Sequence, residues 1–152
     1  MKKSFLALGG AALLLGNVSV WAAEYDLKAN MQKLHSELNA IQTGFILGDK
    51  NAVSASLDIF AKDAKELLGE REGIIKKLPE DMKNKKHKAN IATESARTID
   101  FNAAVIKEAI ANPKGLSNKK RREQAQVAYL NIVNACFACH NVVRDKEVAV
   151  EK

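Results

Sequence analysis

The chain is predicted to be all-α, an antiparallel four-helix bundle, on three observations. Apolar residues recur at three- and four-residue steps in four separate stretches. No stretch alternates apolar and polar residues as a half-buried strand would. Short connections rich in glycine, proline or charge separate the four, and few glycines fall inside them. Each stretch then offers one apolar stripe, and four such stripes close round a common core.

The first stretch starts at Asp26, with Leu27, Met31, Leu34, Leu38, Ile41 and Phe45 on one face, and Gly48 stops it. Asp49 or Asn51 offers a cap for the second, where Val53, Leu57, Phe60, Ala64, Leu67 and Ile74 keep the spacing as far as Leu78. Pro79 closes that helix. Residues 79–89 are almost wholly polar and read as a solvated loop. Its Lys83-Asn84-Lys85-Lys86-His87-Lys88 run has a sharper alternative, a docking patch for an acidic electron-transfer partner. His87 reads as a surface residue rather than a ligand.

Ala92, Ala96, Ile99, Ala103, Ile106 and Ile110 form the third stripe, which ends at the break Asn112-Pro113-Lys114-Gly115. Ser117 can cap the fourth helix, which carries Ala125, Tyr129, Ile132, Cys136, Cys139 and Val143 along its seam. That helix opens with Lys119-Lys120-Arg121-Arg122, four positive charges set against the helix dipole and roughly 22 Å along the axis from the first cysteine.

Met1 to Ala22 reads as an export signal: Lys2 and Lys3, an apolar run from Phe5 to Leu15, and a small-residue boundary at Val20-Trp21-Ala22. The run is short for a membrane span, so cleavage rather than anchoring is expected, leaving residues 23–152 as one soluble periplasmic domain. Basic residues number 24 against 18 acidic, or 22 against 18 once Lys2 and Lys3 leave with the signal. This mild excess suits an acidic protein partner, but it has no interleaved aromatics and is not a nucleic-acid footprint.

Cys136-Phe137-Ala138-Cys139-His140 is the stretch that carries chemistry. On a helix, Cys136, Cys139 and His140 stand at i, i+3 and i+4 and share a face. Two thiols so spaced can each add to a vinyl group of one haem, with the adjoining imidazole binding iron, so covalent haem c is the expected cofactor. The export signal agrees, because such attachment in bacteria takes place outside the inner membrane. A redox disulfide and a zinc site are the competing uses; the first lacks a thioredoxin-like strand and helix pattern and the second lacks a nearby fourth ligand. Ala61, Ala64, Ala103 and Ala104 are small enough to leave room for a flat macrocycle.

With the motif on the fourth helix, Arg144 four residues past its histidine and Met31-Gln32-Lys33-Leu34-His35 on the first, the chain resembles the class II c-type cytochromes over most of its mature length. Within that cytochrome c-prime family it looks most like the low-spin, methionine-ligated branch. The resemblance implies a four-helix bundle, His140 as the proximal iron ligand and Met31 as the distal one, with a homodimer packed through the first two helices. His35 stands where the family usually has a small residue, and is a second candidate for the distal position. Leu27 and Ala92 replace an arginine and a tryptophan found in many members.

A six-coordinate iron has no vacancy for substrate, so the expected function is single-electron transfer without catalytic residues. The runner-up is a five-coordinate protein that binds small gases such as nitric oxide or carbon monoxide. A helical interaction module without haem is the third reading.

Overall fold

The computed structural model of the chain describes residues 18–143, with side chains from Leu27 onward. The expected leader falls largely outside these residues, and so does Arg144. Every regular element described is helical: α1 (Val18–Leu47), α2 (Lys50–Leu68), α3 (Arg71–Lys77), α4 (Lys85–Ala111) and α5 (Asn118–Val143). No helix among the described residues is long and apolar enough to cross a membrane.

Local chemistry sets most of the boundaries. Gly48 takes a positive φ of 70°, which frees the chain to turn back so that Asp49 N–H reaches the Gly44 carbonyl at 2.9 Å. Asp49, rather than Asn51, caps α2: its carboxylate accepts from the Asn51 and Ala52 amides, both at 3.0 Å. Gly44 marks the closest approach of α1 to α2, since a Cβ there would lie 2.7 Å from Val53 Cγ2. At the end of α4, Asn112 is left-handed and its side chain clasps Leu116, accepting from the Leu116 amide at 2.7 Å and donating to its carbonyl at 3.1 Å.

Two segments differ from the sequence reading. The second helix does not run unbroken to Leu78; it stops at Gly69 and restarts as α3 after an extended Glu70, so five helices replace the expected four. The stripe is blind to this break because Leu67 and Ile74 are seven residues apart whether or not the chain kinks between them. Gly69 permits it: a Cβ at that position would lie 2.4 Å from the Lys65 carbonyl oxygen. The polar loop is also shorter than residues 79–89, because α4 begins at Lys85. Lys88 is 9 % exposed and lies four residues before Ala92, so its aliphatic stem extends the buried stripe. His87 is exposed in the same first turn, as expected of a surface residue.

The core is a continuous cluster centred on Ile41, Leu57, Phe60, Ile106 and Ile132, each no more than 1 % exposed. α4 is its hub, packing against α2, α3 and α5, while α1 packs on α2. Asn131 of α5 donates to Asn102 of α4 at 3.1 Å, which satisfies a polar group inside that interface. The C-terminal ends of α1 and α4 meet the N-terminal ends of α2 and α5 round one cavity.

Between α1 and α2 Lys33 Nζ stands 2.5 Å from Asp63 and 3.8 Å from Glu37, which brings the two carboxyls beside one ammonium. Burial, then the Asp63 carboxylate, pushes Glu37 up to about 7, whereas the Lys33 ammonium holds Asp63 below its ordinary value. Of the two carboxyls, Glu37 is therefore the one that takes up a proton first as pH falls. A raised carboxyl contributes stability that is fully present below its unfolded value near 4.5 and is lost as pH rises to about 7. Asp63 has the opposite sign, since its contribution is lost on acidification below its ordinary 3.8, outside that window. Glu37→Gln keeps a neutral donor beside Asp63 without the ionisation. Its melting temperature relative to the parent is expected to rise by several degrees from pH 5 to pH 8; a difference that does not change with pH would refute the raised Glu37 carboxyl.

Candidate functional site

The buried stripe of α5 is Ala125, Ala128, Ile132, Ala135 and Cys139, all facing α4. Tyr129, Cys136 and His140 follow on the adjoining flank and are half-buried. The expected seam is thus turned by about one residue: Cys139 is a core position, 4 % exposed, but Cys136 stands at its edge. Helical spacing carries the flank from Tyr129 through Cys136, seven residues on, to His140 four residues later.

That flank looks toward α1. The Tyr129 ring meets Phe45 of α1 edge to face, with centroids 5.7 Å apart and planes at 69°. The C-terminal end of α1 meets the N-terminal end of α5, so depth runs oppositely along the two helices. Eleven residues beyond Tyr129 stands His140, about 16 Å along the axis; eleven residues before Phe45 stands Leu34, at matching depth. Met31 and His35 both lie within one turn of Leu34. Met31 is half-buried against the core, whereas His35 is exposed.

Between these two walls the backbones stand apart. Among the described residues no Cα of α1 comes within 8 Å of a Cα of α5, although α1 and α2, α2 and α4, and α4 and α5 all approach that closely. At the Phe45 and Tyr129 end this spacing is bridged by the two rings.

Cys136 and Cys139 are not joined to each other. Burial pushes both thiols up; the charge of Cys136 raises Cys139 further, and a hydrogen bond from Ser95 of α4 partly opposes the rise. Two thiols so disfavoured as thiolates are poor redox nucleophiles. Among the described residues no three histidine, cysteine, aspartate or glutamate side chains form a group that could hold a metal ion by themselves. Ser95, 6 % exposed, is the site neighbour the sequence reading missed; it sits one residue before Ala96 of the third stripe, and a hydroxyl carries no apolar signal. The Ser95 to Cys139 contact also places the basic first turn of α4 at the end of the molecule where α5 finishes, about 10 Å along the axis from Ser95 to Lys88.

Comparison with family models, with curated proteins and with solved structures finds no match to this chain.

Proposed function

We propose that this chain is an exported c-type cytochrome of the class II kind, an antiparallel four-helix bundle that carries single electrons in the periplasm. The observation that supports the reading is the flank of α5: Cys136 and His140 lie on the side of α5 on which Tyr129 meets α1, and helical rise brings Met31 of α1 to about the depth of His140. Cys139 fits the same role from the adjoining core position, where it is 4 % exposed.

A haem held in that seam supplies reversible one-electron iron chemistry. Cys136 and Cys139 would hold it through thioether bonds, and His140 would ligate the iron from the α5 side. Met31, half-buried on α1, is the distal ligand in this reading; His35 is at similar depth but exposed. A soft sulfur donor favours the ferrous state, and the surrounding apolar stripes exclude water. Neither ligand sits on a loop, so little needs to move as the charge changes. Lys85 and Lys86 lie toward the end of the bundle that holds the cysteines, which favours an acidic redox partner approaching there.

The test is the optical spectrum of the matured protein beside that of Met31→Ala. The parent, oxidised, is expected to show a methionine-to-iron charge-transfer band and, reduced, to bind carbon monoxide poorly. The variant should lose the band and bind the gas readily. Identical spectra in both oxidation states would remove Met31 from the iron, and a parent that takes up carbon monoxide freely would favour the gas-binding alternative.

A further inference from the structure

At the opposite end from the cysteines lies a cavity of about 510 Å³, open to solvent on one side and lined by the ends of α1, α2, α4 and α5. This volume is in the range of sites that take small organic ligands. Phe45, Val53, Ala109, Ala125 and Tyr129 make much of its wall apolar, while Lys50, Arg121 and Arg122 supply three positive charges. Asp49 is the one carboxylate in the lining, and it is committed to the first amides of α2.

Arg121 lines this cavity and is anchored to the end of α4. Its guanidinium donates to the carbonyls of Ala109 and Ile110 at the end of α4 and to the Asn118 side chain, yet its Nε–H is buried without an acceptor. Basic side chains at the start of α5 also oppose the helix dipole. An anionic group beside Arg121 and Arg122 offsets that unfavourable charge at the helix N-terminus. The apolar wall requires the rest of that ligand to be hydrocarbon.

We propose that this cavity is a binding site for a small amphipathic carboxylate, a medium-chain fatty acid in chemical class, with its tail among Phe45, Val53 and Ala125 and its carboxylate at Arg121 and Arg122. The site is independent of the cysteine-bearing seam, because Tyr129 and Cys136 are about 10 Å apart along α5.

The experiment is calorimetric titration of the full matured protein with octanoate, with 1-octanol as the neutral probe of equal length. Octanoate is expected to bind saturably at one site, at least tenfold more tightly than 1-octanol. Arg122→Gln, chosen because Arg121 also ties down α4, should weaken octanoate at least fivefold while leaving 1-octanol unchanged. Ala125→Leu, which narrows the apolar part of the cavity, should weaken both. Circular dichroism confirms that each variant is folded. Equal affinity for the two probes, no saturable octanoate binding at millimolar concentration, or indifference to both substitutions in folded protein would overturn the proposal.

Discussion

A Cys136→Ser, Cys139→Ser double variant, produced in a host that matures c-type cytochromes, is expected to carry no haem that survives denaturation, against one covalently bound haem per parent chain. The reason is that no other thiol exists in the chain, and the two present are unpaired on one side of α5. The single variants should differ. Cys136 is half-buried on the flank that faces α1, so Cys136→Ser removes the more accessible sulfur and leaves one thioether. Cys139 is 4 % exposed and contacts Ser95, so Cys139→Ser also puts a second hydroxyl into the α4 interface and should lower stability as well as haem content. Haem staining after denaturing electrophoresis reads the first effect and thermal melting the second. A parent protein that is itself colourless would sink the cytochrome reading, while the cavity proposal would still stand or fall on its own titration.

Phe60→Ala is expected to cost about 3–5 kcal/mol, a large share of the roughly 5–15 kcal/mol that holds a domain of this size together. Phe60 is the largest of the fully buried side chains at 1 % exposed and sits at the centre of the α2 face that meets the core. The surrounding helices cannot collapse into the space without parting their other contacts, so a cavity remains. The adjacent Ile59 is the control: it is 53 % exposed, and Ile59→Ala should change stability by about 0.5 kcal/mol or less. Urea titration of the two variants separates them, and equal losses would show that the α2 stripe is not packed as described.

Much of the helical layout was legible because its signals are local. Asp49 as a cap, Gly48 as a stop and Asn112-Pro113 as a break act through hydrogen bonds and dihedral limits within a few residues, and the structure places them where the sequence reading did. The break at Gly69 was not legible, because an apolar period of seven survives a kink that keeps both halves on the core. Lys88 was misread for a different reason: residue type labels it polar, but its buried portion is four methylenes. The cysteines fall between these cases. Their shared helix face follows from spacing alone, but their inequality depends on which neighbouring helix each one meets.

The order of apolar and polar residues along the chain, together with two cysteines and a histidine at helical spacing, by itself determined an all-α molecule and the face of its last helix that bears reactive groups, because backbone hydrogen bonding and side-chain periodicity operate over one or two turns. Only the tertiary structure decided that α4 is the hub, that α1 and α5 stand apart opposite Cys136 and His140, and that Arg121 and Arg122 border a cavity with Phe45 and Tyr129. These are relations between residues far apart in the chain, set by how four differently shaped stripes share one core, and no local rule carries that information.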